Sequence, residues 1–451
     1  MVYTTVINAQ DNTFPFLDTK AMGAYDFIKQ NPEADGRNVV IFILDNSVDP
    51  SIPGMIKTST GKPKVIDMQD YSGQLEFNLK EAEYVKNNNV EYLSADGIMI
   101  SGYENLKYKP EDGKYHYGII DENKNFKNSP VKDLNSNSRS NDKFAIVAFK
   151  ITMTDELIKS FKGIIKPELN SKQWVYYVDE DGDGHIDEET PRFTYKYNLD
   201  YFNFYNGEKG KRPLVVMSAN IHPDSKKVTI NTCDGSHGTH CGGIACGYEI
   251  YNAQGNNGIA PGAYIVSIKI GSNLLSGGAT TTEAKKKAYQ YGVQFLKESG
   301  IKYGVFSMSY GIGSEQPGTS EIEKFLNKFT LDNPNIIVVT SNGNNGPGLN
   351  STGNPAGAEN ILSVGAMLPV DVLKNLYGSQ RNKPWITNFS SRGGESNKPD
   401  VIAPGGASSS VPAFEKGDAF WGTSMSCPQV AGAAALLFSA AEHNNHGLME
   451  Q

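Results

Sequence analysis

Ser424 stands in Gly422-Thr-Ser-Met-Ser-Cys-Pro428, directly ahead of the apolar, small-residue run Gln429 to Leu437. That placement puts a hydroxyl at the mouth of a buried helix, where unpaired backbone N–H groups and a partial positive charge collect. A serine there lies beside ready donors for a developing oxyanion. Pro428 suits the first turn of such a helix, where its missing N–H costs nothing. The same residues would equally cap an ordinary core helix, since Ser and Thr are good N-caps. A serine nucleophile needs a base, and the base an orienting carboxylate. Of seven histidines, two stand together in Asp234-Gly-Ser-His-Gly-Thr-His240. Three apart, His237 and His240 share a helical face. They could hold a metal, but the glutamate of a His-Glu-x-x-His site is absent. A hydrogen-bonded core histidine is the plain reading of His240.

The carboxylate candidate is Asp45, which ends the uninterrupted apolar run Val39-Val-Ile-Phe-Ile-Leu. Such runs read as central parallel strands buried on both faces. The carboxyl ends of such strands are where open α/β sheets place ligands. Asn46-Ser-Val-Asp-Pro50 then turns the chain, and Asp49 fits a turn aspartate better than Asp45 does.

The chain order Asp45, His237, Ser424 is the order of subtilisin. On Leu44-Asp-Asn-Ser47, His237-Gly-Thr-His240 and Gly422-Thr-Ser-Met425, the sequence resembles the subtilisin-like serine peptidases. The resemblance implies an α/β fold with a mostly parallel sheet and helices on both faces. It also implies that His237, not His240, is the base, that Asp45 orients it and that Ser424 attacks the scissile carbonyl. Asn335 to Gly346 reads as an apolar strand ending in a Gly/Asn turn, and Asn344 matches the family's side-chain donor to the oxyanion. Val305 to Gly311 is similar to the family's substrate-pairing edge, although an ordinary buried strand fits Val305 to Met308 as well. Ser309, Tyr310 and Gly311 would form one wall of the primary pocket, Ser341, Asn342 and Gly343 the other, and Gly353 its floor. No cofactor is required for this chemistry.

At 451 residues, with a net charge of −8, the chain can bury a large core and carries no basic excess that would point to nucleic acid. No apolar run approaches the ~18 residues of a membrane span, and Met1-Val-Tyr-Thr-Thr-Val lacks the look of a signal peptide. A cytoplasmic protein is expected, or a secreted one if a leader was removed. Cys233, Cys241, Cys246 and Cys427 form no Cys-x-x-Cys pair and read as free thiols. Cys427, three residues after Ser424, is the thiol expected to disturb the site when modified.

From Asp45 to His237 is 192 residues, far more than ordinary subtilisin-like enzymes use. The organisation predicted is 1–61 for the first part of the catalytic domain, 62–212 for an inserted β-rich subdomain and 213–451 for the remainder. Lys143 to Lys150 and Gln173 to Val178 read as strands of the insertion, and Asn123 to Asp142 as loop. Asp179-Glu-Asp-Gly-Asp-Gly-His-Ile-Asp-Glu-Glu-Thr190 is similar to a calcium loop, with Asp179, Asp181, Asp183 and Asp187 as candidate ligands. Its twelfth position holds Thr190 instead of a glutamate, so an acidic solvated turn is the alternative.

Asp45 to Gly54, Gly61 to Asp67 and the insertion resemble the tripeptidyl-peptidase II group of the same family. That group holds the free amino terminus of its substrate with two glutamates. The matching positions here are Ala279 and Ile312, with Glu283 four residues and Glu315 three residues further on. A buried ammonium without a carboxylate is costly, so endopeptidase action on polypeptides or oligopeptides is expected. Tripeptide release follows instead if Glu283 and Glu315 rebuild the clamp. A silent binding module is the third reading. Only 27 residues follow Ser424, so any homo-oligomer built as in that group would rest on regions absent here. Ser47, where a glycine is usual, is expected to crowd the turn after Asp45.

Overall fold

Val39–Asp45 is buried at all seven positions because it lies in the middle of an eight-stranded sheet. The computed structural model describes residues 17–87, 90–205, 213–275, 278–314 and 316–443. Across the sheet run Trp385–Ile386, Leu362–Leu368, Ile336–Ser341, Tyr303–Met308, Val39–Asp45, Tyr264–Lys269 and Val65–Asp70, with Val401–Pro404 also on Leu362–Leu368. Every pairing is parallel except that of Trp385–Ile386.

Alternation along the strand decides what each face meets. Val39, Ile41 and Ile43 pack with Ala245, Cys246, Ala431 and Ala435, from helices His237–Cys246 and Thr423–His443. Val40, Phe42 and Leu44 pack on the other face with Ala288, Phe295, Leu326 and Phe329, from helices Thr282–Ser299 and Glu321–Asp332. The α/β class read from the sequence is therefore the observed one. Thr423–His443 is long and apolar enough to cross a membrane, but 72% of its apolar window is buried inside the protein.

The insertion is β-rich. Lys172–Val178, Lys143–Thr152, His116–Asp121 and Lys80–Glu81 form one four-stranded sheet. Phe202–Phe204, Val215–Ile221, Lys227–Thr232 and Glu76–Asn78 form a second. Phe144 and Ile146 of the first meet Phe202, Val215 and Met217 of the second, so the two share a core. The other face, through Ala145, Val147 and Phe149, packs with Leu93 and Ile100 of a small three-stranded sheet.

The boundaries 1–61, 62–212 and 213–451 need correction. Val65–Asp70 pairs in parallel with Tyr264–Lys269 and belongs to the main sheet. Val215–Ile221 and Lys227–Thr232 belong to the insertion. The inserted unit thus runs from the end of Val65–Asp70 to Lys227–Thr232, which leads straight into the His237 segment. Buried β-runs look alike whichever sheet they join, so their pattern does not say where the insertion begins.

Candidate active site

Asp45 is the last residue of its strand, at the carboxyl edge of the sheet. His237 opens the helix His237–Cys246, and its Nδ1 lies 3.0 and 2.9 Å from the two carboxylate oxygens of Asp45. The helix comes this close because residue 238 is glycine: a Cβ there would stand 2.3 Å from the Ser47 carbonyl oxygen and 3.0 Å from Asp45 Cβ. Asn46 secures the junction. Its backbone N–H donates to Asp45 Oδ1 at 2.8 Å, and its Oδ1 accepts from the Gly238 N–H at 2.8 Å.

Ser424 is the second residue of Thr423–His443, so its N–H is one of the helix's unpaired donors. The helix starts earlier than the sequence suggested. Pro428 lies inside it and, lacking an N–H, leaves the Ser424 carbonyl without its helical partner. That carbonyl instead accepts from Ser309 Oγ at 2.9 Å and Cys241 Sγ at 3.5 Å. The Ser424 hydroxyl donates to the Ser309 carbonyl at 3.1 Å.

Asn344 follows Ile336–Ser341. Its Oδ1 accepts from the Thr423 N–H and the Thr423 hydroxyl, both at 2.9 Å. This fixes the amide plane and leaves Nδ2 to donate beside Gly422, whose Cβ position lies 3.3 Å from it. Gly422 has φ +151, which an L side chain rarely adopts.

These residues meet in a cleft of about 510 Å³ that runs from Asp45, His237 and Ser424 to Tyr310, Asn344 and Gly353. A sequence profile described as the subtilase family, peptidase S8, matches residues 36–450. The chain belongs to the subtilase family.

Several relatives place this subtilase further. Tripeptidyl-peptidase 2 of Caenorhabditis elegans is 27% identical over 467 residues, covering 93% of this chain and 32% of the relative. Pyrolysin of Pyrococcus furiosus is 26% identical over 501 residues, covering 94% and 32%. A crystal structure of tripeptidyl peptidase 2 superposes with a TM-score of 0.66 at 23% identity, over 93% of this chain and 34% of that one, a likeness of fold. The subtilase sequence thus spans about a third of the length of these relatives.

Ser309, Tyr310, Gly311, Ser341, Gly343 and Gly353 all line the cleft. Asn342 does not. It is fully buried, with Nδ2 donating to the Ser391 carbonyl at 2.7 Å and Oδ1 accepting from the Ser363 hydroxyl at 2.8 Å. It lies just past the end of Ile336–Ser341, and these two bonds turn its side chain inward. Sequence reasoning missed the opposite wall, Ile270, Gly271, Asn273 and Gly278. These follow the end of Tyr264–Lys269, and the carboxyl end of that strand was the signal that could have found them.

His240 is a core histidine. Its Nε2 faces the Ala407 and Asp418 carbonyls at 3.1 and 2.8 Å, its ring stacks on Phe420, and burial pushes it down to about 4. The thiol beside His237 is Cys241, with Sγ 3.8 Å from His237 Nδ1. Cys427, the thiol expected there, is fully buried against the Val339 carbonyl, and burial pushes it up to about 12. Ser47 does adopt a left-handed φ of +94, and its hydroxyl is held by Asn231 Oδ1 at 2.5 Å.

Burial works against charge on His237, but the Asp45 carboxylate overrides it and holds the imidazole well above its ordinary value. A base must be neutral, and the neutral form exists above that pKa. The acid limb of kcat/KM should therefore lie above pH ~6.5, the ordinary histidine value. Asp45→Asn should move the limb to lower pH. A pH profile of both proteins measures this; an unmoved limb would assign it to another group.

Proposed function

We propose that this subtilase is a serine endopeptidase in which Ser424 attacks the scissile carbonyl. His237 takes the Ser424 proton and returns it to the leaving amine, and Asp45 holds the imidazole tautomer. The Ser424 N–H and Asn344 Nδ2 receive the oxyanion. The observation that carries this reading is the pairing of His237 with both Asp45 oxygens beside a serine on a helix amino terminus. Asn344→Ala should lower kcat by about 100- to 1,000-fold with KM little changed, a size taken from the same loss in subtilisin. Steady-state kinetics decides it; a loss confined to KM would remove Asn344 from the oxyanion.

Endopeptidase action is favoured by what faces the amino-terminal side of the cleft. Glu283 is 68% exposed and stands 3.7 Å from Lys287 on its own helix. Ile312 lines the cleft where a clamp acid is wanted, and Glu315 lies outside the described residues. Tripeptide release is the second reading, favoured by the names of the relatives. One peptide offered with a free and with an acetylated amino terminus, against a Ser424→Ala control, separates them. Cleavage of both forms is expected. Cleavage of the free form alone, releasing tripeptides, would overturn the endopeptidase reading, and no cleavage above the control would overturn the peptidase role. A cytoplasmic setting, with four buried free cysteines, belongs to the same proposal.

Calcium at the acidic turn is also proposed, with a changed ligand set. Oxygens of Asp179, Asp181 and Glu189 lie within 4.8 Å of one another, as do those of Asp181, Asp183 and Glu188. Asp187 instead faces Gly102 and Asn105, so Glu189 takes its place. Burial raises Asp179 to about 6 and Glu189 to about 7. An acid whose folded pKa is raised costs stability as pH climbs through its unfolded value of ~4 towards the folded one. A cation offsets that cost only where the carboxylates are ionised. Millimolar calcium should thus raise Tm more at pH 7.5 than at pH 5.5, and an equal or absent shift sinks the site.

A further inference from the structure

We propose that Gln74, a residue of the inserted subdomain, is a positioning residue for the cleft wall opposite Tyr310. That wall leaves the sheet at Ile270 and Gly271 and continues through Asn273 and Leu275 without regular structure. Within it, the Ser272 N–H donates to the Ala279 carbonyl at 3.2 Å, the Leu275 N–H to the Ser272 carbonyl at 3.1 Å, the Gly278 N–H to the Leu275 carbonyl at 3.2 Å and the Leu274 N–H to Ser272 Oγ at 3.3 Å. The sheet holds its start, through the Ile270 and Gly271 N–H groups on the Asp45 carbonyl at 2.8 and 3.4 Å. At Asn273 and Leu274 it is tied to the insertion and to Asp234.

Gln74 is 2% exposed and spends both ends of its amide on this task. Its Oε1 accepts the Asn273 backbone N–H at 3.0 Å, and its Nε2 donates to Asp234 Oδ2 at 2.7 Å. Asn273 Nδ2 closes the ring on the Asp234 carbonyl at 3.2 Å. Asp234 is fully buried and ion-paired with Lys269, the register partner of Asp45. A second tie, Asn128 Nδ2 to the Leu274 carbonyl at 3.3 Å, comes from the same subdomain. One buried amide thus joins the insertion, the segment before His237 and the wall.

Tyr264–Lys269 and Tyr303–Met308 flank Val39–Asp45 on its two sides, so Ile270 and Gly271 line the cleft from one side and Ser309 and Tyr310 from the other. On the endopeptidase reading, on which this inference rests, an extended substrate lies between the two. Holding the wall in advance moves its ordering cost from binding to folding. Loss of the brace therefore raises KM for substrates long enough to touch the wall and spares those that reach only the residue before the cut.

The test uses two blocked anilides with the same residue before the cut, one a single residue and one a tetrapeptide. Gln74→Leu should lower kcat/KM for the tetrapeptide about tenfold, through KM, as loss of one or two buried hydrogen bonds implies. The single-residue anilide should change less than about twofold by the same reasoning. Asn128→Ala, on an exposed residue that leaves no cavity, should act in the same direction more weakly and decides the matter if Gln74→Leu does not fold. Equal losses on both substrates, or none, overturn the brace. If the unmodified enzyme cleaves only a free tripeptide anilide, the endopeptidase reading falls, and the brace is judged by the same ratio on that substrate.

Discussion

Ser424→Ala and His237→Ala should each lower kcat by roughly 10⁴-fold or more, and the double variant should lose no more than either alone; the size is that of triad loss in subtilisin itself. Non-additivity is the informative part. Attack on the carbonyl needs the hydroxyl and the imidazole in one step, so removal of either removes the whole step. The hydroxyl here starts on the Ser309 carbonyl, and the imidazole is already locked to Asp45 through Nδ1. Both side chains line the same cleft. Residual activity in every variant should come from Asn344 and from substrate binding. If the losses of the two single variants multiply, the residues act in separate steps and the triad assignment is wrong.

The second large effect is on stability. Lys269 and Asp234 are both fully buried and form an ion pair at the edge of the site. The Lys269 ammonium also donates to the Thr232 carbonyl and hydroxyl, at 3.0 and 2.7 Å. Burial would raise Asp234, but Lys269 holds it below the usual carboxylate range. Lys269→Met leaves that carboxylate buried without its cation, and should cost about 3–5 kcal/mol. Replacing both partners, as Lys269→Met with Asp234→Leu, removes both charges and should cost less than the single change, despite orphaning the Gln74 amide. Denaturant unfolding of the four proteins measures the cycle. A double variant as unstable as the sum of the singles would show that the pair is not coupled.

What could be read from the sequence was local. Val39–Asp45 announces itself because a central strand buried on both faces is apolar up to the acid that ends it, and the segments around His237 and Ser424 are short motifs with helix signals beside them. The glycines and alanines after His237 fit the tight contact of His237–Cys246 with Thr423–His443. What could not be read depends on partners distant in sequence. Asn342 looks like a pocket residue because it sits between two that are, and only its bonds to the distant Ser391 and Ser363 turn it inward. Asp187 fits a spaced pattern of acids, yet the turn brings Glu189 round in its place. Gln74 carries no local signal at all; its role comes from Asp234 and Asn273, 160 and 199 residues away. The insertion's limits failed for the same reason, since Val65–Asp70 and Lys227–Thr232 differ in the sheet they join and not in their composition.

The order in which the main sheet is threaded has a consequence for synthesis. Val39–Asp45 emerges early, but the neighbours it pairs with are Tyr264–Lys269 and Tyr303–Met308. A strand apolar at its first six positions must therefore wait, without those neighbours, for more than two hundred residues to be added. The insertion is made in the interval. Its strands are mostly antiparallel and close in sequence, so it can fold as a unit while the catalytic sheet is still incomplete. As it folds it brings its two ends together: Asn231 Nδ2 donates to the Gln69 carbonyl at 2.7 Å and Asn220 Nδ2 to the Met68 carbonyl at 2.7 Å. His237 is thereby delivered close to Asp45 before the sheet closes. Ser424, the proposed nucleophile, is made last of the three, on the helix Thr423–His443. On that assignment a ribosome making this protein does not meet the assembled site until Ser424 has been added.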